Sequence, residues 1–380
     1  MLHCRDLLGL RLRSLLLADR TDRSVGSASP ADAADPGSPA EPANATDPAD
    51  ATDPLCDAHL TSATNRVGRA GGARHPPPRS PAGVVRHFLA AQAQDFPASQ
   101  WALGLRSGVG LADVERAYLD GQVVRSWPMR GTLHAVAADD VGWLQRLTSA
   151  KVLGASAERR RQHLGLDARH IERVRECAIG VLAGGRALAR GTLFGEVAAR
   201  GIEVSDPWKY RLIWFFAQTG TLVFGPVADG EPLLVLAEEW IAHPRNLDRE
   251  EGLAELAARY VASHGPACLD DLSWWSGLGK REVREGLALA GDRVVRFDGD
   301  DGTTYWMSPE LADAAGAGPP SAGVALLPAF DEHLLGYRDR TAMLAPGHAA
   351  SICPGGNGVF RPVVVVDGVC AGTWRAAPRG

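Results

Sequence analysis

The stretch Val123-Val124-Arg125-Ser126-Trp127-Pro128-Met129-Arg130-Gly131-Thr132-Leu133-His134-Ala135-Val136 reads as a two-stranded ribbon. Two runs rich in β-branched and aromatic residues flank an Arg130-Gly131 turn. Upstream, apolar spacing at three and four residues predicts helices near 82–92, 97–106 and 111–120, the first opened by Ser80-Pro81. Three short helices followed by a hairpin is the winged-helix order. It recurs twice. A helix near 168–184, a second opened at Gly191–Val197 and a third over Pro207–Thr219 precede strands at Thr221–Phe224 and Leu233–Leu236. Helices at Arg249–His264, Leu269–Trp275 and Lys280–Leu289 then precede strands at Arg293–Phe297 and Thr304–Met307. The units agree in element order and length but not in residues, so the repeat is structural.

The segments outside these units differ in character. Residues 1–22 hold a short amphipathic helix in which leucines alternate with arginines. Residues 23–79 are dominated by Ala, Asp, Pro, Ser and Thr, with too little apolar surface to offset the entropy of ordering, so they read as a disordered insert. After Gly323 the pattern is all-β: Val324–Leu327, Arg361–Val366, an Asp367-Gly368 hairpin turn, and Val369–Trp374. The expected architecture is therefore α+β: winged-helix units over 80–150, 165–243 and 248–310, then a partial β-barrel over 322–380.

Composition narrows the function. The net charge of -5 argues against bulk coating of nucleic acid but leaves room for a local basic face. The six cysteines are scattered without C-x-x-C or finger spacing, so neither a zinc site nor a disulfide framework is expected, and no metal or cofactor is called for. With no apolar run of about 20 residues and no clean signal sequence, the chain reads as cytoplasmic and free of membrane contact. Phosphate-loop, dinucleotide, nucleophile-elbow and H-E-x-x-H signatures are absent.

Three polar clusters remain. Leu89-Ala90-Ala91-Gln92-Ala93-Gln94-Asp95-Phe96-Pro97 carries two glutamines, one residue apart, to a place where Pro97 and the capping Asp95 break the helix, with the break expected near Gln94. Their amides face one site only if the backbone straightens there. Otherwise they do no more than cap a helix end. Arg130 and His134 lie on the first hairpin; the histidine is either a half-buried structural residue or one that reaches DNA. Asp331 and Glu332, read as neighbours on a strand, point to opposite faces and suit a loop-fixing network with Arg338 and Arg340 better than an acid/base pair. Trp274-Trp275 and Trp214-Phe215-Phe216 are expected in the core.

Four motifs in order, Gln92-Ala93-Gln94-Asp95, Trp127 to His134, Phe330 to Arg340 and Gly356 to Pro362, resemble the bacterial winged-helix DNA-binding domain family that includes the alkylpurine DNA glycosylases unhooking azinomycin-type crosslinks. The resemblance spans about Ser80 to Trp374. It implies tandem winged-helix units and a C-terminal barrel around a DNA-sized channel, a catalytic Gln-apolar-Gln motif at Gln92 and Gln94, and DNA contacts from Arg125, Arg130, His134, Arg338 and Arg340. It also implies that the barrel here stops short of the relatives' and that 23–79 is an insertion. The implied partner is double-stranded DNA with alkylated or crosslinked purines, met by a monomer. A non-catalytic winged-helix regulator and a truncated, poorly functional family member are the rival readings.

Overall fold

The structure is a computed structural model that describes residues 4–17, 80–149, 153–154, 167–316, 323–356 and 358–375. The insert at 23–79, Lys151 and Asn357 lie outside the described residues. The chain is a mixed α/β protein with antiparallel sheets. No helix of the described residues is long and apolar enough to cross a membrane.

Its largest sheet has five strands in the order β1-β3-β2-β4-β5. These are β1 (Ala90–Gln92), β2 (Val123–Met129), β3 (Thr132–Ala137), β4 (Leu222–Ala228) and β5 (Glu231–Leu236). Arg130 and Gly131 both take positive φ, 54° and 73°, the conformation a tight two-residue hairpin turn needs. The hairpin does not stand free. β3 is covered on its outer edge by β1, and β2 meets β4 at Arg125 opposite Phe224, which fuses the first two hairpins into one sheet. Every residue of β2 is buried.

The first predicted helix ends early. Ser80 caps Pro81–Phe88 by accepting from the Gly83 N–H, and the helix stops at Leu89, whose φ is 69°. Leu89, Ala90 and Ala91 are almost wholly buried. An apolar run buried on all sides has no periodicity to separate helix from strand, and here the open edge of β3 decides it. Asp95 then caps Phe96–Ser107, and Leu111–Leu119 completes the first unit.

The second unit runs through helices Ala168–Leu182, Arg190–Ala199 and Asp206–Gln218 to β4 and β5. The third has helices Arg249–His264, Leu269–Ser276 and Lys280–Leu289. A sheet ordered β6-β8-β7 follows, from β6 (Ala267–Cys268), β7 (Val295–Asp298) and β8 (Thr304–Met307). The last sheet, β11-β10-β9, is built from β9 (Val324–Leu327), β10 (Val363–Val366) and β11 (Val369–Thr373), with Asp367-Gly368 as the tight turn.

Packing groups these elements unequally. One continuous core joins the N-terminal helix (Cys4–Ser14), the first and third units and the last sheet; a second core holds the second unit together with Trp127 and Leu133. Arg11 shows how the N-terminal helix is held. Its Nε donates to the Pro266 carbonyl at 3.0 Å, and its guanidinium lies 4.0 Å from the centre of the Tyr337 ring. Phe330 to Arg340 is not a strand. Asp331 caps a one-turn helix, Glu332–Leu335, so Asp331 and Glu332 do not alternate across a sheet.

Candidate active site

Gln92 ends β1 directly opposite His134, so the two side chains share a face of the sheet. Past Gln92 the chain bends away, and three anchors fix the bend. The Ala93 N–H donates to the Leu133 carbonyl at 2.9 Å. Arg125 reaches across from β2, donating from Nε to the Ala93 carbonyl at 2.8 Å and from Nη2 to the Gln94 carbonyl at 3.1 Å. On the outer edge of β1, the Gln92 N–H that a further strand would have accepted is taken by Glu332 Oε1 at 2.8 Å.

The glutamine side chains are oriented by their neighbours. A backbone N–H can only donate, so the amide oxygens are the atoms that face it. Gln92 Oε1 accepts from the Gln94 N–H at 2.8 Å, and Gln94 Oε1 accepts from the Leu133 N–H at 3.2 Å. Each oxygen keeps a second lone pair. The Tyr210 hydroxyl of the second unit lies beside the Gln94 amide. Both glutamines are half-buried, ordered on one side and open on the other.

Beneath them lies a buried polar layer. Glu332 is 4% exposed and its Oε2 accepts from the Trp275 indole at 3.1 Å and from His264 Nε2 at 3.3 Å. Burial alone would raise this carboxyl, but the hydrogen bonds from His264 and the Gln92 N–H, together with the neighbouring His264 and His134 imidazoles, outweigh it and hold it well below the usual range, so it is an anion at neutral pH. His134 is fully buried, its Nδ1 bonded to the Thr132 carbonyl and its Nε2 without a partner. Burial, aided by Arg130, pushes its pKa down to about 4, and burial does the same for His333.

These two histidines make stability depend on pH. Their folded pKa of about 4 lies below the unfolded value of 6.5, so the unfolded chain binds more protons as pH falls from 6.5 towards 4. Each is expected to cost about 2 kcal/mol of stability at pH 5 relative to pH 8. Urea unfolding at the two pH values measures it; an unchanged midpoint would show that the imidazoles are not held neutral.

The expected DNA contacts separate into two groups. Arg125, 8% exposed, is committed to the carbonyls of the glutamine bend, and His134 is covered on both sides, so from these positions neither reaches a phosphate. Arg130 is turned inward as well: its guanidinium lies 4.7 Å from the Trp274 ring centre, and its Nε is buried without a partner. The covered edges of the first hairpin are the reason. Arg338 and Arg340 instead line an open cleft of about 790 Å³ with Trp274 and Phe360. Arg340 lies 4.9 Å and 5.0 Å from the centres of those two rings, and Arg338 bonds Asp270 at 2.6 Å. Neither arginine forms the expected network with Asp331, whose carboxylate is held by Arg106.

A family model described as "DNA glycosylase AlkZ-like" matches residues 85–380. The chain belongs to the AlkZ-like DNA glycosylase family. It is accordingly a hydrolase of N-glycosidic bonds in DNA. Among curated relatives of this AlkZ-like chain, an interstrand DNA cross-link repair glycosylase of Streptomyces sahachiroi is 26% identical over 306 residues, 77% of this chain and 81% of that protein. The solved structure of Streptomyces sahachiroi DNA glycosylase AlkZ superposes with a TM-score of 0.69 at 22% identity, covering 99% of this chain and 88% of that one. At that identity the likeness concerns the fold.

Several residues of this AlkZ-like site were not singled out from the sequence. Tyr210 and His264 carried no local signal. Trp275 is fully buried, as its place in an apolar helix predicts, but its indole is also a donor to Glu332. Glu332 was visible only as half of an adjacent carboxylate pair. The Asp-Glu-His-Leu-Leu-Gly run from Asp331 to Gly336, a capping residue followed by apolar positions and a glycine stop, was the signal that could have placed it on a short helix.

Proposed function

We propose that this AlkZ-like glycosylase releases N7-alkylated purines from duplex DNA, and unhooks interstrand crosslinks made through purine N7, by directing a water at the sugar from Gln92 and Gln94. The observation that carries the reading is the glutamine bend: two half-buried amides, each pinned through its oxygen by a backbone N–H, with a lone pair of each left for an incoming water. An N7-alkylated purine is already cationic and leaves without protonation. The enzyme then has to support an oxocarbenium-like sugar and position the nucleophile. Neutral amides suit that task and are poor general bases, which restricts the chemistry to labile cationic bases.

Monofunctional base release belongs to the same reading, since none of the three lysines lies near the glutamines in sequence. A lyase needs an amine nucleophile, and the two described lysines are ion-paired, Lys209 with Asp206 and Lys280 with Asp270, each at 2.6 Å. Arg338 and Arg340 meet the DNA backbone from their cleft, and the three helix–hairpin units act as winged-helix modules of a cytoplasmic monomer, followed by the β9–β11 sheet. The test is to incubate the purified chain with duplexes carrying N7-methylguanine and with an N7-crosslinked duplex, then measure free base and alkali-labile sites. Free base with intact strands before alkali is expected. No release by folded protein overturns the activity; strand cleavage without alkali overturns the monofunctional assignment.

A further inference from the structure

Two adjacent carboxylates sit behind the glutamine bend and are treated differently. Asp331 is neutralised by Arg106, which grips both its oxygens at 2.7 and 2.8 Å. Glu332 receives the Gln92 N–H, the Trp275 indole and His264, and among the described residues no guanidinium or ammonium is hydrogen-bonded to it. Arg130 is its nearby cation, but that side chain stacks on Trp274 and forms no hydrogen bond with the carboxylate. A buried carboxylate whose hydrogen-bonded partners include no guanidinium or ammonium, only the His264 imidazole, the Trp275 indole and a backbone N–H, carries a desolvation cost that a full ion pair would offset. Its donors lie on both oxygens, the Gln92 N–H on Oε1 and the Trp275 indole and His264 on Oε2, so the carboxylate, unlike an amide with a single oxygen, accepts from both sides.

We infer that Glu332 is an electrostatic positioning residue: its negative charge, one hydrogen bond behind Gln92, stabilises the positive charge that develops on the sugar and orients the Gln92 peptide. This rests on the glycosylase reading above. The carboxylate touches neither base nor sugar; it acts through the 2.8 Å bond to the Gln92 N–H and through its field, which the surrounding Trp275, Tyr260 and Tyr337 rings leave poorly screened. His134, on the same face as Gln92 and neutral, closes the layer without cancelling the charge.

The charge and the reach are compared with Glu332→Gln, which keeps the length and one acceptor oxygen but removes the charge, and Glu332→Asp, which keeps the charge and both oxygens but shortens the arm. Single-turnover release of N7-methylguanine from a duplex is measured for both and for the wild type, with rates normalised to the DNA-binding-competent fraction. E332Q is expected to fall about 10- to 100-fold in rate with unchanged DNA affinity, and E332D to remain faster than E332Q. If E332Q is as fast as the wild type, or faster than E332D, the inference falls and the glycosylase reading stands. It falls equally if E332Q retains no binding-competent protein, since the role is then structural. No release by the wild type removes the glycosylase reading, and this inference with it.

Discussion

Replacing Gln92 and Gln94 together by alanine is expected to slow release of N7-methylguanine about 1000-fold while changing DNA affinity by less than about threefold. The reason lies in what the two amides do at different stages. Bound DNA is held by phosphate contacts spread over the surface, to which two neutral side chains in a bend add little. On the proposed mechanism the transition state instead needs a water aligned with the sugar and dipoles turned towards the growing cation, and the Gln92 and Gln94 amide oxygens each keep a lone pair for that at the bend. Each single substitution is expected to cost most of the total, because the Gln92 oxygen also holds the Gln94 N–H, so loss of one unsettles the other. Thermal unfolding separates chemistry from folding: the bend keeps its Arg125, Leu133 and Glu332 anchors, so the melting temperature should move little. A double variant with undiminished release would remove both glutamines from the mechanism.

Why this bend was partly legible in the sequence follows from which forces are local. Pro97, Asp95 and the spacing of the two glutamines announced a break, and a break is there, though it comes at Leu89 and the residues before Gln94 form a strand. The tight turns at Arg130-Gly131 and Asp367-Gly368 and the order of helices and hairpins were likewise written in neighbouring residues. Contacts between distant segments were not. Nothing near Ala90 announces that it will add to β3, nor near Phe224 that β4 will seal β2, because strand pairing between distant segments is set by tertiary context and not by local sequence. That long-range choice turns Arg125, expected to meet DNA, and His134, read either as a structural histidine or as a DNA contact, into internal supports. The same holds for Glu332, which lies 240 residues from the N–H it accepts.

Asp331→Ala is expected to lower the free energy of unfolding by about 3–5 kcal/mol. Arg106 and Asp331 are each 1% exposed in their side chains, and removing the carboxylate leaves a guanidinium in an apolar core with the Leu15 carbonyl and the face of Phe88 for company. The cap on the Glu332–Leu335 turn goes with it, since Asp331 Oδ1 also accepts from the His333 N–H. Against the 5–15 kcal/mol typical of a folded domain, such a loss is visible in urea as a large drop in midpoint. The pair joins the helix that follows the glutamine bend to the turn that carries Glu332, 225 residues away in the chain. Its value is therefore in register as well as in energy. A double variant, R106M with D331L, removes the stranded cation and should regain most of the stability, because well-packed apolar residues often replace a buried ion pair at little cost. If base release recovers along with stability, packing alone sets the register of Glu332 behind Gln92. If stability returns and release does not, the directional, two-pronged pairing is what holds the acceptor under the bend. A D331A midpoint equal to the wild type would show that Arg106 finds another partner.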